Sequence, residues 1–436
     1  MDLQQTLELF GQGARAWNEW ADGMLSEKRD LQDNNKWAEG SESDWNARTR
    51  DWHERATAQF SLHVFEEPAD FTDFRFPGKA DYNDAAFNQY AEFSDAEFHH
   101  TATFYRARFK DDTRFYGTKF GQEAKFGEAR FLGPVVFETA TFCAEAPFLA
   151  LTASRYFAII ESVFFGNAIF GQSVFETPFH IHNSKFKDRA NFMAVTGMGI
   201  VISGVRFTHL PDFIGAYFEQ PPQFDHDVFD PVRHNHPDLQ LSEAATPLHS
   251  RWRALRRMAT QGHDHEAESL SFKGEIIARR GTLDNATNLR FWAGKLYEIF
   301  SDFGRSMRRP LIWLLLSTCV FAGAYSSQSQ DLTWVPFSRH APCVSGSGDA
   351  QIAAWALSVH NAFPFAGIGS SGKLEQIHLC LYGTQPADPS RQKVLPSSLS
   401  PNIPDVVAFL GVLQFVFSAV LLFLLIVAIR HWFRIR

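Results

Sequence analysis

Few residues in this chain have types and spacings suited to chemistry. His234-Asn235-His236 and His263-Asp264-His265-Glu266 carry metal-binding side chains. A helical ligand pair sits three or four residues apart, so that both side chains leave one face. Histidines two apart point to different faces, so no metal site is expected. Gly367-x-Gly369-x-x-Gly372 has the spelling of a dinucleotide fingerprint. It follows no strand and opens no strand–helix–strand unit, so it reads as a loop. No Ser/His/Asp set, paired carboxylates or phosphate loop stands out. The expectation is a chain with no catalytic residues, no cofactor and no metal.

The elements that would position any site are written in a repeat. Phe71, Phe76, Tyr82, Phe87, Phe93, Phe98, Phe104, Phe109, Phe115, Phe120, Phe126, Phe131, Phe137, Phe142 and Phe148 recur at alternating steps of five and six residues. A small or apolar residue, most often Ala, lies two positions before each ring, as at Ala69, Ala80, Ala91 and Ala124. Repeats of this kind fix architecture first, because one unit is too small to bury its own ring. Steps of five and six match neither the strand period of two nor the helix period of 3.6. An 11-residue period also fits a right-handed coiled coil. Gly117, Thr118, Gly121, Gly127 and Gly133 are poor helix material and oppose it. A coil of four short sides, each giving one ring and one small residue to a narrow square bore, satisfies the pattern.

These runs, among them Ala91-Glu92-Phe93-Ser94-Asp95-Ala96-Glu97-Phe98 and Ala124-Lys125-Phe126-Gly127-Glu128-Ala129-Arg130-Phe131, resemble the pentapeptide-repeat family. The resemblance implies a mainly β fold, a right-handed quadrilateral β-helix of about 22 residues per coil and roughly seven coils. Phe165, Phe170, Phe175, Phe186 and Phe192 continue the register more loosely. Phe207, Phe213, Phe218, Phe224 and Phe229 restore it after Gly197–Gly204.

The 436 residues carry a net charge of -8, which excludes nucleic-acid binding through a basic surface. Residues 1–60 have Leu7, Leu9, Phe10, Trp17, Trp20 and Met24 on helical faces, followed by Trp37, Trp45 and Trp52. They read as a helical cap over the open end of the β-helix, which is assigned to 61–230. Residues 231–309 read as linker and amphipathic helices. Within them, 249–280 forms a helical hairpin whose basic run Arg251–Arg257 reads as a solvated face, with contact to anionic lipid as the alternative, and Arg290–Met307 is an interfacial or packing helix.

Residues 310–436 read as a membrane domain. Its two spans lie at about 310–326 and 406–429. Arg305, Arg308 and Arg309 precede the first, and Arg430, Arg434 and Arg436 follow the second. Positive charge at both places puts the two termini in the cytoplasm and the loop 327–405 outside. Cys343 and Cys380 lie in that loop, where a disulfide persists. Cys143 and Cys319 read as small apolar fillers. Gln414 and Ser418 lie within the second span and read as packing-seam residues, with interhelical hydrogen bonds as the alternative. Between the spans, an apolar helix over Ile352–Phe365 precedes Gly367-Ile368-Gly369. This order resembles the pore loop of two-span potassium channels, although Phe365-Ala366 stands where the filter's Thr-Val would be.

The segment 249–280 and the ending Ala428–Ile435 resemble those of bacterial membrane-anchored pentapeptide-repeat proteins. The reading is therefore a non-enzymatic, multi-pass inner-membrane protein that presents a cytoplasmic scaffold for protein docking. Its partners are the lipid bilayer, an unidentified protein and, in the alternative reading of an oligomeric pore-loop channel, further copies of itself.

Overall fold

The computed structural model describes residues 1–225, 247–282, 287–329, 347–363, 371–383 and 401–435. The chain forms two compact units, Met1–Leu283 and Asp284–Arg436.

In the first unit the chain winds from Ala58 to Phe224 as strands of two to four residues. Strands pair only with the coil before and the coil after, and always in parallel. Arg108 lies opposite Ala86 and Arg130, one coil of 22 residues away in each direction. Two faces of the square hold eight strands each, so there are about eight turns.

The alternation of five and six has a backbone cause. Each five-residue step holds one residue at positive φ: Asp73 (63°), Asp84 (55°), Asp95 (55°), Arg106 (60°) and so on around the coil. The Phe74 amide donates to the Phe71 carbonyl at 3.2 Å across Asp73, and the Ala85 amide to the Tyr82 carbonyl at 3.1 Å across Asp84. That is the geometry of a type II turn, tight enough to save a residue. At Gly117 (φ 63°) an added Cβ would meet the Asp95 carboxylate of the coil below, so a larger residue here would have to displace that side chain.

All fifteen rings from Phe71 to Phe148 are buried, with neighbouring coils stacking their rings face to face. One column runs unbroken through Phe60, Tyr82, Phe104, Phe126, Phe148, Phe170, Phe192 and Phe213. The solenoid thus begins before Phe71. Phe60 and Phe65 stack on Tyr82 at 4.9 Å and on Phe87 at 4.6 Å, and they continue the same spacing backwards. Phe165 is corrected to Phe164: residue 165 is 53 % exposed, whereas Phe164 is buried between Phe142 and Phe186. The 22-residue step from Phe142 demands 164.

The looser stretch has a packing explanation. Ala153 and Gly197 occupy ring positions of the column that starts at Phe65. Phe157 and Phe179, on the adjacent face, fill the space; Phe157 meets Phe131 at 6.0 Å, and Phe179 stacks on Phe175 at 4.3 Å. Conserving volume in this way keeps the core dense. Where Thr118, Ser162 and Ser173 replace the small apolar residue, their hydroxyls are fully buried and donate to Phe93, Phe137 and Phe148 carbonyls.

Both ends of the bore are sealed. Helices α1 (Leu3–Phe10) and α2 (Ala14–Asp33) cover the first coil, and α3 (Ala47–Ala56) leads into it. Phe10 lies against Phe60, Phe65, Phe71 and Phe74. Trp17 Nε1 donates to the Arg75 carbonyl at 2.8 Å, and Asn18 bonds the backbone of Asp73 and Arg75. At the other end, α4 (Leu248–Gln261) and α5 (His265–Thr282) pair as a hairpin. The run Arg251–Arg257 is a solvated face only in part, since Arg253 and Arg257 are exposed while Arg251 turns inward. Arg251 is buried, donates to the Leu210 carbonyl at 3.3 Å and pairs with buried Asp212 at 3.5 Å. Arg253 and Arg256 hold buried Glu275, and Arg257 donates to the Ala216 carbonyl. The guanidinium groups occupy carbonyls that the last coils would otherwise leave open.

The second unit holds α6 (Leu289–Ser301), α7 (Arg308–Ser327), α8 (Ser347–Ala362), α9 (Ser371–Tyr382) and α10 (Asp405–Ile435). Helices α7 and α10 are long and apolar enough to cross a membrane. Only 33 % and 22 % of their most apolar windows is buried, so most of each faces outward.

Candidate functional site

In the first unit the rings fill the bore, so any site must lie on its outside. A concavity lies beside the N-terminal cap, a cleft of about 310 Å³ lined by Lys28, Gln32, Trp37, Trp45, His53, His99, His100 and Gln122 among others. The His53 ring stacks on Trp45 at 3.7 Å and 5°, and meets Trp52 and His100 edge-on. Burial, followed by nearby His100 and Lys28, pushes its pKa down to about 4, so the ring is neutral. Burial likewise lowers His100, whose Nδ1 is enclosed without a hydrogen-bond partner. Lys28 Nζ sits 5.0 Å from the Trp37 ring centre and 5.3 Å from Trp52. The cleft offers aromatic faces and one cation, with no nucleophile beside a base. Sequence reasoning noted Trp37, Trp45 and Trp52 but missed their meeting with His99-His100, because the cap and the second coil carry no shared local pattern.

Among the described residues no group of three or more His, Cys, Asp or Glu is placed to hold a metal. His263 (φ 54°) is in the turn of the C-terminal hairpin, and His265 opens α5 with Nδ1 3.5 Å from Glu268. His234, His236, Cys343, Gly367, Ile368 and Gly369 lie outside the described residues. Gly372 is in the first turn of α9. Cys380 is disulfide-bonded, whereas Cys143 and Cys319 are free. The latter two are exposed, so they are not core fillers.

The second unit contains a buried polar network in an otherwise apolar bundle. Gln414 of α10 donates from Nε2 to the Ser358 carbonyl at 2.9 Å and Oγ at 2.7 Å. Its Oε1 accepts from the Tyr325 hydroxyl at 2.8 Å. Asn361 donates to that same hydroxyl, and Ser358 Oγ donates to the Thr318 carbonyl at 2.8 Å. Gln414, Ser358 and Tyr325 are fully buried. Three helices, α7, α8 and α10, are thereby fixed together. Gln414 thus bonds between helices. Ser418 is buried with its hydroxyl unpartnered.

The network also fixes depth. Thr318 lies nine residues before the end of α7 and Gln414 nine residues after the start of α10. At 1.5 Å per residue both lie about 13–14 Å from the helix ends. Ser358 bridges them at that depth. On the far side of α8, Ile352, Trp355 and Val359 are 68 %, 47 % and 44 % exposed.

No curated protein and no solved structure matches this chain. Residues 93–141 match the family model described as pentapeptide repeats, nine copies. Together with the coil geometry this makes Ala58–Phe224 a β-solenoid built of pentapeptide repeats.

Proposed function

We propose that the protein is a non-enzymatic scaffold anchored in the bacterial inner membrane by α7 and α10, whose cytoplasmic solenoid docks other proteins on its flat faces. The observation that carries this reading is the closed solenoid. Its bore is packed with rings and both ends are capped, so the outer faces are the part of the first unit left to act. Pentapeptide-repeat solenoids are in general structural or interaction scaffolds. The arginines before α7 and after residue 429 support an orientation with both termini in the cytoplasm. Within the outward loop, Cys343 is the proposed partner of Cys380.

Site-specific photo-crosslinkers at Arg130, Val136 and Lys185, on three faces of the solenoid, test the docking reading in intact cells. A discrete adduct from at least one face is expected. Only lipid adducts from a Val412 reporter, with none from the faces, would overturn it.

One observation favours a second reading, an oligomeric pore-loop channel. Helix α8 reaches mid-depth between the two spans, held by Gln414 and Thr318, and its apolar outer side faces away from them. A short helix entering the bilayer between two spans is the arrangement such a channel needs. Mass measurement in lipid nanodiscs separates the readings, since a monomer with two spans encloses no pore.

A further inference from the structure

Helix α6 exposes large apolar side chains on one stripe. Leu289, Trp292, Leu296 and Ile299 are 82 %, 52 %, 46 % and 38 % exposed. Their spacing of three, four and three residues gathers them within an arc of about 80° on a helix. Arg290 and Glu298 occupy the opposite side, and Lys295 lies at the stripe's edge. Phe300 continues the apolar arc and shows where it points. Its ring meets Trp313 of α7 at 5.2 Å and Phe417 of α10 at 5.5 Å, both within the two long apolar helices. The stripe is therefore directed toward the depth at which those helices are apolar.

The joint between α6 and α7 is over-determined. Asp302 (φ 50°), Phe303 (φ 58°) and Gly304 (φ 81°) are consecutive left-handed residues. Phe303 is buried and packs edge-on against Tyr297 at 5.6 Å, while Arg309 donates to the Glu298 carbonyl at 2.8 Å. Two non-glycine residues in this region are costly and persist only when their surroundings hold them. The joint thus fixes the direction in which α6 leaves the span. Residues 289–309 carry five Lys or Arg against two acids, in a chain whose net charge is -8.

We infer that α6 lies in the membrane interface, with Leu289, Trp292, Leu296 and Ile299 among lipid chains and its basic residues against anionic headgroups. This rests on the reading of α7 and α10 as membrane spans. The occupant is a lipid surface rather than a protein, because the stripe ends at Phe300, whose ring packs on the two long apolar helices, and because the local positive charge complements anionic lipid.

The test uses the full chain in nanodiscs, with nitroxide labels on Trp292→Cys, Leu296→Cys, Arg290→Cys and Leu316→Cys, each in a Cys143→Ser, Cys319→Ser background. Labels at 292 and 296 are expected to be accessible to oxygen and shielded from an aqueous nickel complex, about 5–10 Å below the phosphates. The label at 290, on the polar side, should reach nickel. Anionic phosphatidylglycerol should move 292 and 296 deeper than a purely zwitterionic bilayer does; equal depth would overturn the headgroup pairing. Nickel access at 292 and 296, or immobilised labels shielded from both reagents by a second copy or another protein surface, would overturn the lipid assignment. Leu316 on α7 separates the two claims. If it reaches oxygen while 292 and 296 do not, only the assignment of α6 fails. If 316 itself lies in water, the membrane spans fail and the inference falls with them.

Discussion

The rings of Phe104 and Phe126 lie 4.8 Å apart and 4° from parallel, one coil above the other. The distance is that between neighbouring strands, so ring stacking and strand pairing share one repeat. Phe115 meets both rings nearly at right angles, at 5.8 and 5.6 Å. Each ring is thus stacked along its own column and edge-on to a neighbouring one, the two favoured aromatic geometries.

Phe126→Ala removes a ring from the middle of the unbroken column, where both neighbours are held by their own strands and collapse is limited. A loss of about 3–5 kcal/mol is expected. Native-state amide exchange should show it in the solenoid strands, with the second unit unaffected. A loss below about 1 kcal/mol would mean that the column relaxes freely.

Tyr82 occupies a ring position in that column, fully buried, and its hydroxyl has no hydrogen-bond partner. Burial also raises its pKa well above the ordinary tyrosine value. Tyr82→Phe removes an unsatisfied polar atom and keeps the ring, so stability should rise by about 1 kcal/mol. Lower stability in the variant would show that the hydroxyl has found a partner, such as an enclosed water.

His53 couples the cap to pH. Its pKa falls from the ordinary 6.5 to about 4 because of burial first, then of His100 and Lys28. Between these values the unfolded chain takes up a proton that the folded chain refuses. The contribution is complete above pH 6.5 and is lost as pH falls toward about 4. Amide protection in α2 and α3 should decline over that window. His53→Phe should make the decline shallower, leaving what His99 and His100 contribute, since burial lowers both. An unchanged slope would contradict the assignment.

Cys143 and Cys319 are free, and Cys380 is in a disulfide. Two reactive thiols are therefore expected in the denatured, oxidised chain and four after reduction. Four before reduction would remove the disulfide from the account.

The solenoid was legible because its signal is periodic and repeated. Phe60 and Phe65 extend the spacing and could have been read from it. Phe164 and Phe165 are adjacent rings, and only the 22-residue step across coils from Phe142 selects Phe164. Ala153 and Gly197 blurred the register because Phe157 and Phe179 compensate from another face, a three-dimensional relation without a sequence period. Arg251 looked like one of several surface arginines. The Leu210 carbonyl and Asp212 at the end of the coil explain why Arg251 turns inward, while Arg257 stays exposed and reaches the Ala216 carbonyl. The cap cleft was illegible for a similar reason, since His53 and His100 come from separate elements. Gln414 was visible as a polar residue in an apolar run, but its partners Ser358 and Tyr325 were not.

Alkaline carbonate extraction of membranes from cells making the full-length chain tests the anchored-scaffold account most directly. Retention of the chain in the membrane pellet is predicted, as two membrane-crossing helices would produce. Release into the supernatant would contradict it and reassign those helices to a protein interface.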